Sequence, residues 1–150
     1  MDNKFILLVE DNPNDVELTI HAINKNKITN KIIVAEDGEE ALNFFEGKGK
    51  FENRNTSFLP KIVLLDLKLP KLNGIEVLQK IRENIKTKYL PVIILTSSKE
   101  ENDIFQSYNN GANSYIQKPL KFEEFSDAVK QISKYWLFLN ESIHNRIMPK

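Results

Sequence analysis

An alternating α/β domain, with a parallel sheet covered by helices on both faces, is the fold this sequence predicts, and three observations predict it. Short, uniformly apolar runs recur: Phe5-Ile6-Leu7-Leu8-Val9, Ile62-Val63-Leu64-Leu65 and Val92-Ile93-Ile94-Leu95. Runs this brief and this free of alternation read as strands buried on both faces. Between them, apolar residues recur every three or four positions, the period of amphipathic helices. The two patterns alternate along the chain, which calls for parallel strands joined by right-handed crossovers.

Taken in order, the first strand is Phe5 to Val9, and Asn14 with Glu17 reads as a capping box opening a helix through Val16, Ile20 and Ile23. Lys31 to Ala35 is the second strand. Asp37 with Glu40 opens the next helix, with Ala41, Leu42 and Phe45 on one face, and Gly47 ends it. Residues 47 to 60 contain glycines, turn formers and charges without a period, and so form a long loop, either one that carries function or an idle solvated excursion. After the third strand, Asn73 with Glu76 repeats the capping signature, and Ile75, Leu78, Ile81 and Ile85 mark a helix. Pro91 starts the fourth strand, which ends at Thr96. Ser98 with Glu101 caps a helix through Ile104, Phe105 and Tyr108, and Asn113 to Gln117 is a short fifth strand broken by Lys118-Pro119. The last helix carries Phe122, Phe125, Val129, Ile132, Trp136 and Leu139 as one buried stripe, leaving Tyr135, Leu137 and Phe138 pointing elsewhere. The expected organisation is one domain over residues 1–139 and a short tail, 140–150, with no separate output domain.

Composition limits the function. The chain has 150 residues, 41% hydrophobic and 28% charged, enough for one domain with a real core. Lys plus Arg and Asp plus Glu both total 21, so no bulk field directs it to nucleic acid or to an anionic membrane. No cysteine is present, which removes disulfides and thiolate metal sites. Its longest apolar runs are about a quarter of the ~20 residues a spanning helix needs, and the start lacks a secretory signal, so a cytoplasmic protein is expected.

Ligands of open α/β sheets bind at the carboxyl ends of the strands. The residues there are Glu10, Asp11, Asp66, Thr96 and Lys118, each at the end of a predicted strand. Carboxylate oxygens suit Mg²⁺, whereas zinc favours His or Cys, and His21 and His144 lie elsewhere in the pattern. A hydroxyl and an ammonium beside such acids add donors for phosphoryl oxygens, with an Asp side chain as nucleophile. The arrangement points to phosphoryl transfer.

Leu-Leu-Val-Glu-Asp-Asn at the first strand, Glu-Asp-Gly-Glu-Glu-Ala-Leu at 36 to 42 and Leu-Leu-Asp-Leu-Lys-Leu-Pro at 64 to 70 form a specific set. Asn73-Gly74, Leu95-Thr96-Ser97, Gly111-Ala112 and Tyr115 leading to Lys118-Pro119 complete it. With these motifs the chain resembles the receiver domain of bacterial two-component response regulators, from about Lys4 to Leu139. The resemblance implies a three-layer doubly wound (βα)5 flavodoxin-like fold with strand order 2-1-3-4-5. It implies that Asp66 accepts a phosphoryl group from a sensor histidine kinase, and that Mg²⁺ is held by Glu10, Asp11, Asp66 and the backbone carbonyl of Lys68. Lys118 would pair with a phosphoryl oxygen, and Thr96 and Tyr115 would form the switch that reshapes the surface of the fourth helix, fifth strand and fifth helix. The Lys118-Pro119 bond would be cis. Such a protein catalyses only its own phosphotransfer and slow autodephosphorylation. Lys68, two residues after the acceptor, would screen the path of the hydrolytic water.

The long 47 to 60 loop and Trp136 are similar to features of single-domain regulators that partner phytochrome-type kinases. The expected partners are therefore a sensor histidine kinase, of phytochrome type, or a phosphotransfer protein, and a downstream protein target. A homodimer through the apolar end of the last helix is a further expectation, against the alternative that the tail covers it. A phosphatase of the haloacid-dehalogenase type would need a second Asp where Lys68 stands, and a dinucleotide-binding turn would need glycines where Asp11 to Asp15 stand. The remaining rival is a receiver that acts as an interaction module without phosphorylation.

Overall fold

The computed structural model describes residues 5–143. Its elements are β1 (Ile6–Val9), α1 (Pro13–Lys25), β2 (Ile32–Ala35), α2 (Gly38–Glu46), β3 (Ile62–Leu65), α3 (Gly74–Glu83), β4 (Val92–Thr96), α4 (Glu101–Asn109), β5 (Ser114–Gln117) and α5 (Phe122–Ser133). All pairings are parallel, in the order β2-β1-β3-β4-β5. This is the expected doubly wound, flavodoxin-like fold. β1 and β3 are buried along their whole length, as their unbroken apolar text requires. Side chains alternate between two cores. Leu7, Val9, Val63, Leu65 and Ile94 face α2 and α3, while Ile6, Leu8, Ile62, Leu64 and Ile93 face the side of α1 and α5.

The helix starts follow capping chemistry, with two corrections. The capping box at Asn73 and Glu76 is formed, and Asp37 accepts from the Glu40 amide. At α1, however, the cap is Asn12, not Asn14: its Oδ1 accepts from the amides of Asn14 at 2.9 Å and Asp15 at 3.3 Å. Pro13 explains the earlier start, because its fixed φ and missing N–H suit the first helical position. At α4 the cap position is Glu100. Ser98 accepts from the Glu100 amide at 3.3 Å and donates to Asp103 Oδ2 at 2.5 Å, which ties the loop before the helix instead of capping it. Gly47 closes α2 in the left-handed region at φ 69°, where a Cβ is costly.

Four helices present faces that differ from the sequence expectation. In α2 the fully buried aromatic is Phe44, with Phe45 only partly covered. α3 stops at Glu83, so Ile85 is exposed. Past Ser133 the last helix widens into a π-helical stretch, Lys134–Leu139. One residue more per turn rotates the following side chains, so Leu137 enters the core while Leu139 is exposed and Trp136 is half-buried. Phe105 and Tyr108 on α4 are exposed too, and Ser107 is the only buried residue of that helix.

The 47 to 60 segment is anchored. It contains a 3₁₀ turn, Gly49–Phe51, and Arg54 lays its guanidinium 3.8 Å over the Phe44 ring while donating to the carbonyls of Phe44 and Phe58. No helix among the described residues is long and apolar enough to cross a membrane. The tail beyond residue 143, with His144, lies outside the described residues; Tyr135 and Phe138 are exposed.

Candidate active site

The sheet register builds the site. Val9 is opposite Leu65, so Glu10 and Asp66 leave adjacent strands side by side, and the Asp66 amide donates to the Val9 carbonyl at 3.1 Å. Thr96 is opposite Gln117, and the Lys118 amide donates to the Thr96 carbonyl at 2.7 Å. The four side chains therefore share one rim of the sheet. Asp11 follows Glu10 at the same edge. One oxygen each from Glu10, Asp11 and Asp66 lies within 4.8 Å of the others.

Lys118 is the cation of this rim. Its Nζ hydrogen-bonds Glu10 Oε1 and lies 3.2 Å from Asp15 Oδ2 and 3.6 Å from Asp66 Oδ2. Burial works against the ammonium, but the bond to Glu10 and the charges of Asp66, Glu10 and Asp15 hold its pKa above the ordinary lysine value. Glu10 is almost fully buried. Burial raises its pKa to about 7, helped by the charge of Asp66 and partly offset by Lys118 and by the Asn12 amide. Acids crowded around one lysine leave the rim short of positive charge.

A divalent cation fits that shortage. The donors are hard oxygens from three carboxylates, two buried and one exposed to solvent, the set that suits Mg²⁺. Asp66 is held by its own loop: the Leu67 amide donates to Oδ1 at 2.7 Å, with a longer approach from the Lys68 amide at 3.5 Å. Lys68 itself is exposed. Gly74 allows this turn to close, since its amide reaches the Leu67 carbonyl at 2.8 Å and a Cβ there would lie 2.3 Å from the Asp66 carbonyl oxygen.

Thr96 is fully buried, and its Oγ1 accepts from the Ser98 amide at 3.4 Å, leaving its proton for another acceptor. The Tyr115 hydroxyl donates to the Ser98 carbonyl at 2.9 Å and the ring is half-buried, so Tyr115 already lies against the β4–α4 loop. Pro119 departs from expectation: no cis peptide bond occurs among the described residues. The trans form is the lower-energy isomer of an X–Pro bond, and Lys118 reaches Glu10 and Asp66 from it.

Two residues were not singled out in the sequence. Asp15 sits in the first turn of α1, one turn after Asp11, and that spacing was the available signal for its approach to Lys118. Ser98, whose spacing to Glu101 predicts only a cap, accepts from the Tyr115 hydroxyl through its carbonyl. His21 is exposed and stacks on Phe122, ring centroids 5.0 Å apart, away from the rim.

The family model described as the response regulator receiver domain matches residues 6–130. The probable methanogenesis regulatory protein FilR2 of Methanothrix harundinacea is 40% identical over 144 residues, covering 94% of this chain and 88% of its own length. Response regulator Rcp1 of Synechocystis is 37% identical over 134 residues, 89% of each chain. A solved Mn²⁺-bound form of Rcp1 superposes with a TM-score of 0.83 at 35% identity, covering 93% of this chain and 98% of that one. The phosphorylated cyanobacterial phytochrome response regulator RcpA does so with a TM-score of 0.85 at 35% identity and the same coverage.

Proposed function

Since the chain belongs to the response regulator receiver domain family and is a two-component response regulator, we propose that Asp66 is its phosphoryl acceptor and a sensor histidine kinase its donor. The observation that carries this reading is the convergence of Glu10, Asp11, Asp66 and Lys118 on one rim, with Thr96 buried at the same sheet edge. In this reading the receiver unit runs through Leu139. Glu10, Asp11, Asp66 and the Lys68 carbonyl hold Mg²⁺, which when bound offsets negative charge on the transferring group.

The chain's own residues do the rest. An Asp66 carboxylate oxygen attacks the phosphorus of a phosphohistidine, forming an acyl phosphate as the P–N bond to the kinase breaks. Lys118, already poised between Glu10 and Asp66, pairs with a phosphoryl oxygen. The Thr96 hydroxyl donates to another. The new group brings about −1.5 to −2 of charge into a rim that already carries several acids, so its pull on Thr96 and Lys118 is strong. Those two contacts draw in the β4–α4 loop, to which Tyr115 is bonded through Ser98.

The readout is the α4–β5–α5 surface. α4 buries only Ser107 and exposes Phe105 and Tyr108, so little packing holds it in one position. A protein partner there would sense the change by noncovalent contact. The likeness to RcpA, a phytochrome response regulator by its description, supports a phytochrome-type kinase as donor. Beryllofluoride with Mg²⁺ should shift amide resonances at Thr96–Ser98, α4 and Tyr115 in the wild type and leave Asp66→Asn unchanged. Equal shifts in both proteins, or none in the wild type, would favour an interaction module that needs no phosphate.

A further inference from the structure

At the end of the sheet opposite Asp66 lies a recess of about 750 Å³. Its floor is apolar: Phe5 just before β1, Ile33 in β2, Phe58 from the 47 to 60 segment, and Phe138 from the last helix. Its rim is cationic. Lys27 and Lys31 flank the turn into β2, and Arg54 enters from the other side. Among the described residues no acid lines the recess, although the chain has as many acids as bases. Among the described residues no carboxylate pairs with the side chains of these three cations.

Arg54 is the most telling of them. Its guanidinium is half-buried, so water serves it poorly, and its bonds go to two neutral carbonyls and an aromatic face. A half-buried guanidinium without a counter-charge gains from any anion that reaches it. Three unpaired cations around an apolar floor also focus a positive potential in a protein with no net charge.

We propose that this recess binds a small organic anion with an aromatic or aliphatic body. The body lies on Phe5, Ile33, Phe58 and Phe138, and the anionic group faces Lys27, Lys31 and Arg54. Its volume falls within the roughly 300–1,000 Å³ of small-molecule pockets, which favours a compact ligand over a polypeptide segment. The site is separate from the phosphoryl-transfer rim, since the four residues of β3 alone set about 13 Å between the two ends of the sheet. Occupancy would join the 47 to 60 segment to the start of β2 and to the last helix, which gives that long excursion a task the rim does not.

Anilinonaphthalenesulfonate is a suitable probe, titrated into the full chain by fluorescence and mapped by amide chemical shifts. The expected result is saturable binding with shifts centred on Thr29–Lys31, Asn55 and Phe58. The exposed pair Lys27→Glu with Lys31→Glu should weaken binding roughly tenfold or more, and more so at low salt. Neutral phenylnaphthylamine should bind wild type weakly, and Asp66→Asn should bind the sulfonate as wild type does. Circular dichroism checks that the lysine variants fold, and Lys31→Ala serves as a milder second variant, expected to weaken binding in the same direction. Shifts centred instead on Phe105, Tyr108 and Leu120, undiminished binding by folded charge-reversed protein, or binding of an acidic peptide but not of the sulfonate would overturn the proposal.

Discussion

Replacing Glu10 by Gln removes the buried carboxyl whose protonation the fold itself biases, and the pH dependence of stability should change with it. Burial, reinforced by Asp66, raises the Glu10 pKa from 4.5 to about 7. Between those values folded protein holds a proton that unfolded protein has released. The unfolded state therefore binds fewer protons, and stability falls as pH rises through the window. At about 1.4 kcal/mol per pH unit, the full difference corresponds to roughly 3 kcal/mol of the metal-free protein's stability between pH 4.5 and 7. The Gln side chain keeps an acceptor for the Asn12 amide, now 3.2 Å from Oε2, and leaves Lys118 to Asp15 and Asp66. Urea denaturation in chelator at intervals from pH 4.5 to 8 measures this directly. Wild type should lose stability towards neutral pH, Glu10→Gln should lose markedly less, and added Mg²⁺ should return stability to wild type most strongly at high pH. A wild-type profile that is flat or rising across the window, or an unchanged slope in Glu10→Gln, would refute the reasoning.

Three other substitutions test separate parts of the account. Gly74→Ala puts a Cβ 2.3 Å from the Asp66 carbonyl oxygen and 2.6 Å from Leu67 Cα, so it should cost about 2–3 kcal/mol in urea denaturation and slow phosphorylation by displacing the acceptor's backbone. Arg82→Ala removes a half-buried guanidinium that donates to the carbonyls of Lys88, Leu90 and Gly111 and to Asn113 Oδ1, tying α3 to the chain before β4 and β5. It should lower stability by about 2–4 kcal/mol, and an effect below about 0.5 kcal/mol would mean those bonds do little. Lys68→Ala should speed loss of the phosphoryl group by roughly a few-fold, under about 1 kcal/mol of barrier for an exposed side chain, read as the decay of phosphorylated protein after the donor is removed.

What the sequence made legible was whatever depends on local pattern. The central strands stand out because a buried parallel strand needs unbroken apolar text, and Glu10 and Asp66 stand out because a carboxylate directly after such a run must sit at its carboxyl end, whereas Lys118 follows the short, partly polar β5. Strand order came from resemblance, since periodicity does not say which strands pair. The misses have physical causes. Leu137 replaced Leu139 in the core because a π-helical stretch shifts the facing residues, and periodicity assumes a constant turn. Ile85 fits the helical period, but the helix stops two residues earlier. The roles of Asp15 and Arg82 arise from neighbours distant in sequence, as Asp15 meeting Lys118 and Arg82 meeting Gly111 illustrate, and that of Arg54 from a loop fold-back onto Phe44 that no helix or strand period reports.

The central claim is that Asp66 takes the phosphoryl group. Incubating the protein with Mg²⁺ and a small phosphodonor, reducing the acyl phosphate with borohydride and sequencing the peptides by mass spectrometry tests it most directly. The account predicts modification of the peptide at Asp66, dependent on the metal and absent from Asp66→Asn. Modification at Glu10, Asp11 or Asp15, or equal labelling of Asp66→Asn, would contradict it.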